Sequence, residues 1–143
     1  MGAAAAAGHK RPMNWNIVRI ELGRTRDFPQ GSASRAYLLR LPLDDGGAID
    51  EGAILSDPAH ATVRRFWPNE RDRSGRIVAT PEGWAVRYDP GDAEEGAVYR
   101  LETAAVHLGG EIRVTEPDGR LLPFRVASLG KPPEAGGPAR SLR

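Results

Sequence analysis

RIVATPEGWAVRY, residues 76–88, decides the fold class, because it contains two alternating runs joined by a tight turn. After the turn at 80–83, three large apolar residues alternate with Ala85 and Arg87: Trp84, Val86 and Tyr88. Alternation with a period of two residues is typical of a β-strand with one buried face. Proline early in the turn and glycine at its end favour a sharp reversal of the chain. The stretch therefore predicts a β-hairpin.

The same design recurs along the chain. EIRVTEPDGRLLPFRV, residues 111–126, predicts a second hairpin around the turn 116–119, and 14–23, 35–43 and 98–103 predict further strands. The apolar residues predicted to face inward are Val18, Ile20, Leu22, Tyr37, Leu39, Leu41, Leu43, Ile112, Val114, Leu122, Phe124 and Val126. Regularly spaced short strands predict a mainly β fold, a small antiparallel barrel or sandwich built from hairpins.

One segment, SDPAHATVRRFWP at 56–68, fits two local structures. Asp57 suits a helix cap, Pro58 the first helical position and Pro68 a helix end, which predicts one short helix near 58–67. The β-branched and aromatic residues of Thr62 to Trp67 favour a strand instead. Elsewhere, Pro123 predicts that its strand lies at a sheet edge or a bulge. That strand and the first one, Trp15–Leu22, are the candidate edges.

Composition limits the classes of protein. The chain has 143 residues and no cysteine, which excludes disulfides, thiolate metal sites and cysteine nucleophiles. Residues 1–12 are expected to be a disordered tail or tag remnant, 13–129 a single β-rich domain, and 130–143 a disordered tail rich in glycine and proline. No run is long and apolar enough for a membrane-spanning helix. We expect a soluble, bacterial-type, cytoplasmic protein.

The net charge of +1 is distributed unevenly. Each tail carries +2, which leaves −3 on residues 13–129, so the folded part has no general attraction to phosphate. Both lysines, Lys10 and Lys131, lie in the tails, and every basic residue of the folded part other than histidine is an arginine.

Motifs for catalysis and cofactors are missing from the sequence. There is no nucleophile elbow and no glycine-rich phosphate loop, so we expect neither an enzyme nor a cofactor. Two acidic loops offer oxygen ligands but follow no known calcium-site spacing: Asp44, Asp45, Asp50 and Glu51, and Asp89, Asp92, Glu94 and Glu95. His60 and His107 would need a carboxylate brought to them by the fold to bind zinc. We expect no metal.

The strongest local charge lies in RRFWPNERDRSGR, residues 64–76. Its arginines and Trp67 form a hypothetical contact for single-stranded nucleic acid, since arginine binds phosphate and aromatic rings stack on bases. The candidate residues are Arg64, Arg65, Trp67, Arg71, Arg73 and Arg76. The alternative places Phe66 and Trp67 in the core and pairs the charges of 70–73 with each other. The acidic balance of the domain favours this alternative.

These observations predict a non-enzymatic binding module. The first hypothesis is binding to an unidentified protein partner, or self-association as a homodimer, through a β face or an edge strand. The second is single-stranded nucleic-acid binding through 64–76. The third is a small ligand in a barrel pocket lined by Trp84, Tyr88 and Phe124.

Overall fold

The computed structural model describes residues 14–132, which form a closed antiparallel β-barrel. Each strand pairs with the next along the chain, and the last pairs with the first. The strands are β1 (Trp15–Leu22), β2 (Ser32–Pro42), β3 (Thr62–Phe66), β4 (Arg73–Thr80), β5 (Gly83–Tyr88), β6 (Tyr99–Glu102), β7 (Glu111–Thr115) and β8 (Leu121–Gly130). The predicted mainly β fold is thus confirmed, as a barrel. The predicted tails at 1–12 and most of 130–143 lie outside the described residues.

The prediction that β1 and β8 are edge strands is wrong, because the barrel is closed. β1 pairs with β8 from Ile17–Gly130 to Leu22–Phe124, so each candidate edge is covered by the other. Pro123 sits within β8 opposite Arg113 of β7, and its carbonyl accepts a 2.9 Å hydrogen bond from the Gly23 N–H just beyond β1. The missing N–H of proline is tolerated because its carbonyl still joins β1 to β8.

The barrel interior is filled by the alternating apolar residues. Both predicted hairpins are present, with Thr80 opposite Gly83 in one and Thr115 opposite Leu121 in the other. All of the predicted inward-facing residues are buried except Leu122, which is half-buried and packs against the core. An eight-stranded barrel has an interior just wide enough for such side chains to fill.

The helix lies earlier than predicted. α1 spans Glu51–Ser56 and is capped by Asp50, whose side chain accepts a 3.1 Å hydrogen bond from the Ala53 N–H. Pro58 does begin a helical turn, but it is a 3₁₀-helix of three residues, Pro58–His60. The residues after it form β3. Val63 pairs with both β2 and β4 and is buried, whereas Thr62 pairs with β4 and Phe66 with β2.

The two ends of the barrel differ. Ile54 of α1 and Ala61 are buried at the end where β2 finishes, and the Ala61 carbonyl accepts a hydrogen bond from Ile77. The opposite end, here called the mouth, carries the loops 23–31, 67–72, 89–98 and 116–120. No helix in the described part of the chain is long and apolar enough to cross a membrane.

Candidate ligand site at the mouth of the barrel

A charged network is buried inside the barrel near the mouth. Glu116 accepts a 2.9 Å hydrogen bond from Arg65 Nε and a 2.7 Å hydrogen bond from the Tyr37 hydroxyl. The Tyr37 hydroxyl also lies 3.2 Å from that of Tyr88. Arg65 and Glu116 are the buried charged residues of the described chain. Burying charges is costly unless they are paired and hydrogen-bonded, and here each group has such partners.

Strand alternation places these side chains inside. Arg65 and Tyr37 face each other across β3 and β2, both in phase with buried apolar residues. Glu116 follows Ile112 and Val114 at the same two-residue spacing, one position beyond the end of β7. Its backbone N–H donates a 2.7 Å hydrogen bond to the Arg120 carbonyl, which fixes the start of the turn.

The network shifts the pKa values of its members. Burial raises the pKa of Glu116, against the opposing effects of the Tyr37 and Arg65 hydrogen bonds. Burial lowers the pKa of Arg65, but its hydrogen bond to Glu70 and the charge of Glu116 outweigh burial and hold it above its usual value. Burial raises the pKa of Tyr88 to about 12, and it raises that of Tyr37 as well. Both tyrosines are therefore hydrogen-bonding groups, not bases, at neutral pH.

An open pocket of about 300 Å³ lies at the mouth. Leu22, Phe28, Trp67 and Leu122 supply its apolar lining, and Arg26, Asp27, Arg35 and Arg120 supply its charges. This volume is at the lower end of the range for small-molecule sites. Arg120 is engaged with Asp118 by a 2.8 Å ion pair. The pocket thus combines aromatic surface with an excess of positive charge.

Arg35 is the central cation of the pocket. It lies on β2 in phase with Tyr37, so it belongs to the inward face at the open end of the barrel. Its guanidinium carbon is 4.2 Å from the Phe28 ring centre and 5.8 Å from that of Trp67. Within residues 14–132 its hydrogen-bond partner is the Ser32 hydroxyl, at 3.1 Å. Most of its five N–H donors therefore remain available to a ligand.

Trp67 connects the pocket to the buried network. The Arg65 guanidinium carbon lies 4.0 Å from the Trp67 ring centre, and the ring packs edge-on against Phe124 at 6.4 Å. Arg65 is itself held by Glu116 and by a 2.8 Å ion pair with Glu70. The network consequently fixes the Trp67 ring without contacting the pocket's contents, since Glu116 is only 1% exposed.

The six candidate residues of the segment 64–76 do not form one surface. Arg65 is buried, so its prediction as a surface contact is wrong, and Trp67 is half-buried against the core. Arg64 pairs with Asp72 at 3.0 Å, Arg71 with Asp92 at 3.2 Å, and the half-buried Arg73 with Glu70 at 3.6 Å. Arg76 is exposed on the outside of the barrel. The alternation of β3 and β4 sends neighbouring arginines to opposite faces.

The predicted pocket lining is also different from the observed one. Tyr88 and Phe124 are buried within the filled interior, and Trp84 follows the turn at the other end of the barrel. None of the three lines the 300 Å³ pocket. Phe124 only contacts one of its lining residues, Trp67. Phe28, Arg35 and Glu116 were not among the predicted site residues. For Arg35 and Glu116 the signal was present, because both continue the inward alternation of their strands.

The histidines and acidic loops do not come together as a metal site. His60 contacts Trp15 edge-on at 4.9 Å and lies 3.4 Å from Asp57 and 3.3 Å from Arg40. His107 lies beside Gly47 instead. Across residues 14–132, no group of three or more metal-ligating side chains is found.

Comparison of the chain with family models, with curated proteins and with solved structures finds no match. Function is therefore inferred from the site itself.

Proposed function

We propose that this chain is a non-enzymatic binding module and that the pocket at the mouth takes a small organic anion with a flat, apolar body. The observation that carries the proposal is the placement of Arg35, which is stacked over Phe28 and Trp67 at the open end of a filled barrel. This is the third hypothesis of the sequence analysis, moved from the barrel interior to its rim.

The chemistry of the lining supports an anion. Arg26 and Arg35 face the pocket with Asp27, while Arg120 is already paired with Asp118. A carboxylate or phosphate can accept two parallel hydrogen bonds from a guanidinium, and such charge-assisted bonds are the strong ones. Stacking Arg35 on aromatic rings orients its planar group and reduces the entropy that binding would cost.

The lining also supports a flat apolar body on the ligand. Phe28, Trp67, Leu22 and Leu122 surround the cations. A ring inserted beside Trp67 would find an aromatic face that Arg65 and Phe124 hold in place. A pocket that is apolar with a few convergent polar groups is typical of small-molecule sites. Reaction chemistry is not part of the proposal, because Glu116, Tyr37 and Tyr88 of the buried network lie beneath the pocket, not in its lining.

The test is a binding titration with matched ligands. Benzoate, phenylacetate and 2-naphthoate are compared with benzamide, a neutral molecule of the same shape as benzoate. We expect saturable calorimetric binding of the acids and at least about 10-fold weaker binding of benzamide, because a hydrogen bond to a charged group contributes about 1.5–3 kcal/mol. Arg35→Gln should weaken the binding of the acids by a similar factor.

The matched control is Arg113→Gln, which removes one exposed arginine from β7 on the outside of the barrel. It should bind the acids as the unmodified chain does. Equal binding of benzoate and benzamide, or equal losses in the two variants, would contradict the proposal. So would the absence of binding by any of the three acids at millimolar concentration.

A further inference from the structure

The outer face of four neighbouring strands carries arginine and no acid. The outward positions of β2 to β5 are occupied by Ser34, Ala36, Leu38, Arg40, Pro42, Thr62, Arg64, Phe66, Ser74, Arg76, Val78, Thr80, Ala85 and Arg87. Four of these fourteen side chains are cationic, on a domain whose net charge is negative. We call Arg40, Arg64, Arg76 and Arg87 the arginine face.

Strand register aligns three of these arginines in a row. Arg76 of β4 is directly opposite Arg87 of β5 on one side and Thr62 of β3 on the other. On the next strand, Leu39 of β2 pairs with Val63 of β3. Arg40, the residue after Leu39, is therefore beside Thr62 and extends the row onto β2. With strands about 4.8 Å apart, the row crosses four strands over about 15 Å.

The rest of the barrel exterior is built differently. Arg125 of β8 is opposite Glu111 of β7 on one side and Glu21 of β1 on the other. Arg113 of β7 is opposite Glu102 of β6. Like charges directly opposite on a sheet are destabilising, whereas opposite charges are favourable. The juxtaposition of Arg76 and Arg87 is therefore an unfavourable arrangement. The other directly opposed arginines, Arg65 and Arg73, share Glu70 as an ion-pair partner, which Arg76 and Arg87 do not have among the described residues.

The arginines of the row have few partners of their own. Within residues 14–132, neither Arg76 nor Arg87 forms an ion pair, whereas Arg64 is held by Asp72 at 3.0 Å. Arg40 contacts the His60 ring at 3.3 Å, and its buried Nε has no hydrogen-bond partner. The exposed guanidinium groups of Arg76 and Arg87 therefore have unused donors at the surface.

We propose that the arginine face binds single-stranded nucleic acid, with the phosphates running across β2 to β5. A row of guanidinium groups complements a chain of phosphates, and each guanidinium can bind phosphate through two parallel hydrogen bonds. Phe66 is half-buried on the same outer face, four residues along β3 from Thr62. Its ring lies 5.7 Å from the Arg64 guanidinium carbon and is available for base stacking. The site is separate from the pocket at the mouth.

Charge argues for a nucleic acid over a folded acidic protein. A stable protein interface buries about 800 Å² on each partner, and charged residues are depleted at its centre. Here cationic side chains extend across the whole face, from Arg40 on β2 through Arg76 on β4 to Arg87 on β5. Nucleic-acid interfaces are instead rich in positive charge and draw much of their affinity from phosphate contacts.

The test is fluorescence anisotropy of the full chain with labelled, mixed-sequence single-stranded DNA and RNA of about 12 nucleotides. We expect saturable binding at 50 mM salt that weakens about 20-fold at 200 mM, as release of counterions by three phosphate contacts requires. Arg76→Gln/Arg87→Gln should lower affinity at least about 10-fold at 50 mM salt and flatten the salt dependence.

The matched control is Arg113→Gln/Arg125→Gln, which removes the same charge from the other side of the barrel. It should keep most of the affinity, and Arg35→Gln in the mouth should keep it too. Thermal melting confirms that each variant is folded. No binding at 50 mM salt, or equal losses in the two double variants, would overturn the proposal. Competition by poly-glutamate as effective as by unlabelled oligonucleotide would overturn it in favour of an acidic polypeptide partner.

Discussion

Arg65 of β3 and Glu116 after β7 form an ion pair inside the barrel, with Arg65 Nε donating a 2.9 Å hydrogen bond to Glu116 Oε1. Their side chains are only 5% and 1% exposed, although 51 residues separate them in the sequence. The pair supports the Trp67 ring from below and so joins the barrel interior to the candidate ligand site.

Removing one partner of this pair should destabilise the fold strongly. We expect Glu116→Leu to lower the free energy of unfolding by about 3–5 kcal/mol, because Arg65 would keep a buried charge with only the partly exposed Glu70 as partner. Arg65→Met/Glu116→Leu removes both charges and should recover part of that loss. Urea unfolding at pH 7 measures both. The single variant Arg65→Met completes the set. A double variant whose loss of stability equals the sum of the losses in Glu116→Leu and Arg65→Met would show that the charges are not coupled.

The buried tyrosines should make the fold sensitive to alkali. Tyr88 has a folded-state pKa of about 12, raised by burial from the ordinary tyrosine value of 10.0. Above pH 10 the unfolded chain loses this proton while the folded chain keeps it, so stability falls as pH rises and the loss is complete near pH 12. A difference of two pKa units between the unfolded and the folded chain corresponds to a loss of about 3 kcal/mol in the free energy of unfolding.

Tyr88→Phe should reduce this alkaline loss, since phenylalanine has no proton to release. Urea unfolding at pH 8 and at pH 11 gives the difference in free energy for each protein. If Tyr88→Phe loses as much stability between pH 8 and pH 11 as the unmodified chain, the alkaline loss does not come from Tyr88.

Gly75 allows β5 to approach β4 closely. A Cβ atom at this position would lie 2.7 Å from the Tyr88 Cα, which is closer than such atoms come. We expect Gly75→Ala to lower the free energy of unfolding by about 1–3 kcal/mol, because the backbone of β5 would have to move. The matched control is Gly46→Ala, whose Cβ meets only the Asp44 carboxylate at 3.5 Å. Its effect should stay within about 0.5 kcal/mol, and equal effects at both positions would contradict the packing argument.

Much of the fold could be predicted from local patterns. The alternation in β1, β2, β5, β7 and β8 identified the strands and their buried faces, and the turns 80–83 and 116–119 placed both hairpins. Barrel closure could not be predicted, because it depends on pairing β1 with β8, more than 100 residues apart. Pro123 was misleading, since its carbonyl rather than its N–H serves that pairing.

The candidate sites were harder to predict, since each is assembled from residues that are far apart in the sequence. The segment 64–76 is continuous in sequence, but its alternation sends Arg65 into the core and Arg64 and Arg76 outward. Arg87 joins Arg76 only through the register of β4 and β5. Arg35 comes to Trp67 through the register of β2 and β3, in which Ala36 is opposite Phe66, and the loop 23–31 adds Phe28. Arg35 and Glu116 continue the inward alternation of β2 and β7, so their inward position is a property of the local sequence.

The most direct test of the central claim, that the mouth binds a small aromatic anion, is an NMR titration of the tryptophan side chains. The chain has three tryptophans, and their indole N–H groups report on different regions. Trp67 lines the mouth pocket, whereas Trp15 is buried and packs against His60, and Trp84 follows the turn 80–83. The Trp67 signal is assigned with Trp67→Phe.

We predict that benzoate shifts the Trp67 indole signal saturably and leaves those of Trp15 and Trp84 in place, and that Arg35→Gln needs about 10-fold more benzoate for the same shift. A Trp67 signal that stays fixed at millimolar benzoate, or that shifts equally in Arg35→Gln, would contradict the assignment of the mouth as a ligand site.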